Sequence, residues 1–181
     1  MNNNKISGKY IIVTAVAVLT SWVLHEFAHW LTGVGMGYDM GMSLNQTFPV
    51  NGGLNSNKDY QLLSAGGPAF TILQALVIFW MMKKRNNILL YPFLLVCFYM
   101  RFFAAVISFR NPNDEARISM YMNIGKFTLP VIVSLLLFFL VYKTSQSYKL
   151  SLRFNLLTLG LIIFFSSLII MADQFLHIRL L

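Results

Sequence analysis

Residues 11–31, IIVTAVAVLTSWVLHEFAHWL, form an apolar run that carries three ionisable side chains near its end. About 20 apolar residues are enough to cross the roughly 30 Å hydrocarbon core of a bilayer as a helix. The run therefore predicts a first transmembrane span, with His25, Glu26 and His29 inside the membrane. Because each such group costs about 2.5–3.5 kcal/mol to insert there, ionisable groups in a span usually mark a functional site.

The sequence of residues 25–29, HEFAH, has the pattern HExxH. On a helix, His25 and His29 lie one turn apart on the same face. Two imidazoles at this spacing can bind one zinc ion, and Glu26 is then placed to act as general base toward a zinc-activated water. The alternative is a helical histidine pair whose polar atoms are satisfied by backbone groups or water.

The composition is that of a multi-pass membrane protein. The chain of 181 residues is 57% hydrophobic and 11% charged, whereas soluble domains carry about a quarter charged residues. Further apolar runs predict spans at residues 62–82, 88–109, 124–142 and 154–171. We therefore expect an all-α membrane protein in which residues 1–181 form one bundle of about five transmembrane helices. The polar, Gly- and Asn-rich loop after the first span, residues 32–60, could contain a short β-hairpin within residues 42–50.

The formal net charge of +8 is carried by short segments between the spans. Basic residues are enriched in cytoplasmic loops of membrane proteins. This rule predicts a cytoplasmic N-terminus, with HExxH toward the non-cytoplasmic side, and the charge gives no support for binding to nucleic acid. The composition is compatible with a prokaryotic inner membrane. The predicted cytoplasmic side contains the basic residues Lys5, Lys9, Lys83, Lys84, Arg85, Lys143, Lys149 and Arg153.

Two histidines do not complete a catalytic zinc site, which usually has three protein ligands and one open position. Asp114 is predicted to be the third ligand, because it follows Asn111-Pro112 in a polar break between two spans. A residue before proline is disfavoured in a helix, and irregular backbone is tolerated in a membrane where it lines a polar cavity. The other available donors are Asp39, Asp59, Glu115, Asp173 and His177.

These features together resemble the site-2 protease family of intramembrane zinc metalloproteases. That family has HExxH in one span, a Gly-Pro motif in the next, and an Asn-Pro/Asp-Gly type motif that supplies an aspartate ligand. The same order appears here at residues 25–29, 65–68 (AGGP) and 111–114 (NPND). The resemblance implies that His25, His29 and Asp114 bind Zn²⁺ and that Glu26 activates water.

The same resemblance implies substrate-binding or structural roles for Gly67, Pro68 and Asn111, which fall on the family's motifs. The asparagine that family members have a few residues after Gly-Pro is missing, and Thr71 and Gln74 stand nearby.

Arg101 lies well inside the third predicted span, where an unpaired cation is costly. It is expected to pair with Glu115 or Asp173 or to extend toward the membrane surface. The alternative is that it stabilises an oxyanion during catalysis.

The predicted function is hydrolysis of a peptide bond in a membrane-anchored protein substrate within or near the lipid bilayer. One alternative is a zinc-binding membrane protein without protease activity, such as a degenerate protease homologue or a metal carrier. Another is a membrane scaffold with an accidental motif. The sequence leaves the oligomeric state open.

Overall fold

The computed structural model describes residues 5–176 and 179–181 of the chain. It is mostly helical, as predicted, and five of the helices in the described part are long and apolar enough to cross a membrane. The protein is thus a multi-pass membrane protein. The helices are α1 (Gly8–Gly35), α2 (Asn57–Arg85), α3 (Tyr91–Ile107), which follows a 3₁₀ turn at Ile88–Leu90, α4 (Asp114–Tyr121), α5 (Thr128–Ser147) and α6 (Leu152–Leu176).

Two differences from the predicted spans have local causes. The helix α5 begins at Thr128 rather than at residue 124, because Asn123 and Gly125 have φ angles of 55° and 93° and form a left-handed turn. The short polar helix α4 was not predicted. It begins where the Asn113 side chain accepts a hydrogen bond from the Asp114 amide, which caps the helix at its first residue.

The spanning helices alternate in direction, so that the start of α1, the α2–α3 turn and the α5–α6 turn share one end of the bundle. Hydrogen bonds connect these segments: Tyr91 Oη donates to Asn155 Oδ1 at 2.6 Å, and Tyr148 Oη donates to the Met82 carbonyl at 2.8 Å. The eight basic residues assigned above to the cytoplasm all belong to this end. Which face of the membrane this end occupies stays a prediction.

The helices α1 and α2 approach closely where α2 carries two adjacent glycines. A methyl group at Gly66 would lie 2.5 Å from Thr32 Oγ1 and 2.8 Å from the Ala28 carbonyl oxygen. Small residues at helix interfaces let backbones pack closely in membranes. This contact sets the separation of the two helices beside the HExxH residues.

A two-stranded antiparallel hairpin follows α1, as the sequence suggested was possible. Its strands are β1 (Met40–Met42) and β2 (Thr47–Pro49). The Asp173 carboxylate on α6 accepts hydrogen bonds from the Ser43 hydroxyl at 3.1 Å and the Leu44 amide at 3.0 Å.

The outer edge of β1 is paired with other parts of the protein. The backbone of Met42 exchanges hydrogen bonds with Leu180 and Leu181, and Trp30 Nε1 donates to the Met40 carbonyl at 3.0 Å. The hairpin is therefore attached to α1, to α6 and to residues 179–181.

Replacing Gly66 by alanine should destabilise the bundle by about 1–3 kcal/mol, because the new methyl group overpacks the α1–α2 contact. Gly160→Ala in α6 is the matched control, since a methyl group there meets nothing within 4 Å. Unfolding of the detergent-solubilised protein would measure both variants. Equal stability of Gly66→Ala and Gly160→Ala would contradict the close packing described here.

Candidate metal centre

Three potential metal ligands from α1 and α4 converge inside the bundle. His25 Nε2 lies 3.2 Å from His29 Nε2, and Asp114 Oδ2 lies 3.5 Å from each of these two nitrogens. All three residues are buried. Among the described residues, this is the group of histidine, cysteine and acidic side chains that could hold a metal ion.

The spacing and chemistry of these atoms fit zinc. Donor atoms about 2.0 Å from a tetrahedral zinc ion are about 3.3 Å apart, close to the three distances observed here. Two imidazoles with one carboxylate are also a ligand set of catalytic zinc sites, and they leave one position open. The site could therefore bind a zinc ion.

The imidazole nitrogens that face away from the cluster are held by α2. His25 Nδ1 is 2.9 Å from Thr71 Oγ1, which donates its own proton to the Gly67 carbonyl. The hydroxyl therefore accepts from His25 Nδ1–H. His29 Nδ1 is 2.6 Å from the Leu63 carbonyl oxygen, which can only accept. His25 thus carries its proton on Nδ1 and directs the lone pair of Nε2 toward the cluster. The short contact with Leu63 assigns the same tautomer to His29, since the Gly67 amide, which also points to His29 Nδ1, lies farther away at 3.3 Å. This tautomer is common for metal-binding histidines.

Gly67 lies directly against these rings, and Pro68 follows it in α2. A methyl group at Gly67 would collide with both imidazoles, so the position has room only for glycine. Pro68 is buried inside α2 and has no amide proton to donate to the Ser64 carbonyl one turn earlier. The structure therefore places Gly67 at the site, with a steric reason for the glycine, and gives Pro68 a buried position in the same helix.

Asp114 is positioned by the break before α4. The Ser108 hydroxyl, at the end of α3, accepts a hydrogen bond from the Asn113 amide at 3.0 Å. Asp114 Oδ1 accepts from Arg117 Nη2 at 2.9 Å, which leaves Oδ2 for the histidines. Burial raises the pKa of the Asp114 carboxyl, but its close contacts with the two histidines and the positive charge of Arg101 outweigh burial and hold the pKa well below its ordinary value. The Asp114 carboxyl is therefore anionic, as a metal ligand needs to be.

Glu26 lies on the wall of a cavity of about 490 Å³ that also contains the three ligands. Its side chain is 7% exposed, and its Oε2 accepts a hydrogen bond from Thr47 Oγ1 at 3.1 Å. The strand β2 and the turn before it, residues 45–49, form another part of the cavity wall. A buried carboxylate beside a metal site, in a cavity lined by a strand, is suited to moving a proton on a bound peptide.

Arg101 is buried and belongs to this cluster. Its Nη1 lies 3.2 Å from Asp114 Oδ2 and 3.3 Å from Glu115 Oε1, and its Nη2 lies 3.2 Å from His25 Nε2. Of the expected arrangements, the pairing with Glu115 is present. Pairing with Asp173 and extension toward the membrane surface are not, because Asp173 binds the hairpin turn and Arg101 is 4% exposed.

The other potential ligands have different contacts. Asp39 accepts from Asn51 Nδ2, Asp59 accepts from Tyr38 Oη, and Glu115 pairs with Arg101. His177 lies outside the described residues.

Three further residues from the sequence analysis do not line the cavity. Asn111 is exposed, and its neighbour Asn113 lines the cavity instead. Thr71 and Gln74 form bonds within the bundle, the first with His25 and the second with Ser21.

Sequence reasoning missed two contributors to the site. Thr47 lies 21 residues after Glu26, and no sequence pattern at that spacing predicts that the two residues are in contact. The role of Thr71 in holding His25 was also missed, although its position one helical turn after Gly67 places both on the same face of α2.

Comparison with models of known protein families, with curated proteins and with solved structures yields no match for this chain.

Replacing Thr71 by valine should weaken zinc binding about 10- to 100-fold, because His25 loses the partner that fixes its orientation. The matched control is Thr144→Val, since that buried hydroxyl bonds only the Leu140 carbonyl of its own helix. Zinc affinity would be measured by competition with a chelator in detergent. Equal affinities for the two variants would show that Thr71 does not support the site.

Proposed function

We propose that this chain is an intramembrane zinc metalloprotease, similar to the site-2 protease family, that hydrolyses a peptide bond of a membrane-anchored protein. The observation that carries the proposal is the convergence of His25, His29 and Asp114 beside Glu26 on one buried cavity. A site that only stored metal would have no need of a buried carboxylate adjacent to the ligands.

When bound, a zinc ion would supply a Lewis acid for a carbonyl oxygen and would make water more acidic. His25, His29 and Asp114 would hold it. The Glu26 carboxylate accepts a proton from the attacking water and then donates it to the nitrogen of the leaving amine. The Thr47 hydroxyl lies within hydrogen-bond distance of both the carboxylate and the backbone carbonyl oxygen of Glu26, and its one proton bonds either of them, which restricts the orientation of this side chain.

A substrate that enters as a helix has its amides shielded, so it must become extended before cleavage. The strand β2 offers an edge to such a segment. The bonds Ser43 N to Gln46 O and Val50 N to Asp39 O define the hydrogen-bonded pairs of the hairpin. Hydrogen-bonded and non-hydrogen-bonded pairs alternate along an antiparallel hairpin, so the amide and carbonyl of Thr47 point away from β1. Thr47 belongs to β2, which lines the cavity.

An extended peptide could pair with Thr47 by strand addition, next to Glu26. Within the described residues, the outward amide of Thr47 has no backbone partner.

The second candidate is a zinc-binding membrane protein without protease activity. The observation in its favour concerns the missing family asparagine. Thr71 and Gln74, which stand near its place, both form bonds inside the bundle rather than facing an open cavity. The two candidates differ in whether Glu26 is required for a chemical step.

Replacing Glu26 by glutamine should leave about one zinc per chain and reduce cleavage at least about 100-fold, the usual effect of removing a general base. Asp114→Ala, in contrast, should lose the zinc. The measurements are metal content of the purified protein and cleavage of tagged single-span membrane proteins in liposomes. Asp39→Asn, which changes an exposed acid in the loop between α1 and β1, is the control.

Zinc retained by Glu26→Gln, together with unchanged cleavage, would rule out Glu26 as the general base, and unchanged cleavage by Asp114→Ala as well would remove the protease proposal. Zinc bound by the wild type with no cleavage of any test protein would favour the second candidate.

Replacing Thr47 by proline should reduce cleavage at least about tenfold, because it removes an outward amide that strand addition uses while the bonds between β1 and β2 do not need it. The companion variant Thr47→Val keeps the amide and removes the hydroxyl that contacts Glu26. Kinetics of both variants separate the two roles. Equal KM values for Thr47→Pro and Thr47→Val would argue against strand addition at this edge.

A further inference from the structure

Arg101 contacts two of the three atoms that would bind the metal. Its Nη2 lies 3.2 Å from His25 Nε2, and its Nη1 lies 3.2 Å from Asp114 Oδ2. The same Nη1 lies 3.3 Å from Glu115 Oε1. The guanidinium therefore connects the metal-binding atoms to a carboxylate outside the three-residue metal cluster.

His25 Nε2 cannot accept a hydrogen bond from Arg101 and bind a metal ion at the same time. A neutral imidazole has one nitrogen lone pair in the ring plane. The proton of His25 is on Nδ1, where it is donated to Thr71, so the lone pair is on Nε2. That lone pair either accepts a hydrogen bond from Arg101 or binds a metal.

The same competition applies electrostatically. A guanidinium at hydrogen-bond distance from the ligands adds a positive charge beside the place of a divalent cation, in a region from which water is largely excluded. Like charges at such distances repel strongly when the effective dielectric constant is low. Arg101 therefore opposes metal binding by its charge as well as by its contact with His25.

Glu115 is the group that can draw Arg101 away from the ligands. It is buried beside Arg101, and its hydrogen bond to Nη1 does not involve His25 or His29. If Nη2 leaves His25, the pairing of Nη1 with Glu115 can persist, and the cation does not become an unpaired charge in the bundle.

We infer that Arg101 competes with the metal ion for His25 and Asp114, and that Glu115 sets the strength of this competition. The inference rests on the metal site of the proposed function and not on peptide hydrolysis. The Arg101–Glu115 pair would then control the metal affinity of the site. Without Arg101, the three ligands would bind zinc more tightly.

The test is the zinc affinity of the full chain in detergent, measured by chelator competition at constant pH. Arg101→Gln should bind zinc at least about tenfold more tightly than the wild type, because it removes a neighbouring cation. Glu115→Gln should bind at least about tenfold more weakly, because Arg101 then has only the metal ligands as partners. In a protein that already carries Arg101→Gln, Glu115→Gln should change the zinc affinity less, since Arg101 no longer competes with the metal.

Arg117→Gln is the matched control. Arg117 also pairs with Asp114, through Oδ1, but its side chain is 48% exposed. Its contact with Asp114 uses the oxygen that does not face the histidines. Removing its charge should change the zinc affinity less than threefold, a margin of about 0.7 kcal/mol.

Unchanged or weaker zinc binding by a folded Arg101→Gln protein would overturn the inference, as would the absence of zinc binding from every variant. If Arg101→Gln does not fold, Arg101→Lys takes its place. A lysine ammonium cannot bridge His25 and Glu115 as a planar fork does. Tighter zinc binding by Arg101→Lys supports the inference, and unchanged binding overturns it. If the expected affinity shifts occur but no variant cleaves a test protein, the proposed protease activity fails and the inference stands.

Discussion

The close approach of α1 and α2 at Gly66 and Gly67 is the constraint on which the site depends. Gly66 lets the α2 backbone pass over Ala28, and Gly67 leaves space for the imidazoles of His25 and His29. At this separation, the Leu63 carbonyl and the Thr71 hydroxyl reach the outer nitrogens of the two rings. A side chain at either glycine would separate the helices, and the histidines would lose both their space and their hydrogen-bonding partners.

A second constraint is the burial of ionisable groups in an apolar bundle. His25, Asp114, Arg101 and Glu115 are each at most 5% exposed, and hydrogen bonds or ion pairs connect all four. Breaking a buried pair leaves an uncompensated charge, which is more costly than the pair is stabilising. The cluster is therefore a single electrostatic unit rather than a set of independent ligands.

The hairpin connects this unit to the remainder of the cavity. Its β1 edge is paired with residues 180–181 and with Trp30, and its turn is held by Asp173. These contacts leave β2 on the cavity side, where Thr47 reaches Glu26. Asp173, a buried acid that sequence reasoning considered as a metal ligand, thus acts on the site at a distance by holding the hairpin.

Local sequence was enough to predict the spanning helices, because their hydropathy and length leave few alternatives in a membrane. It also placed His25 and His29 on one face and selected Asp114 at a helix break, since both follow from short-range geometry. The helix α4 and the start of α5 escaped prediction, because a polar eight-residue helix has no hydropathy signal and a left-handed turn can occur within an apolar run.

The tertiary structure alone decided the partners of these residues. Sequence reasoning preferred Asp114 to Glu115, Asp173 and His177 because of its place at a helix break, and the packing of α4 against α2 brings Asp114 to the histidines. Of the two carboxylates expected to pair with Arg101, Glu115 does so and Asp173 binds the hairpin instead, while Asp114 is a further partner. Thr47 and Thr71 gained their roles in the same way. Sequence determines which groups are present and which lie on one helical face, whereas contacts between elements depend on distances that no local pattern encodes.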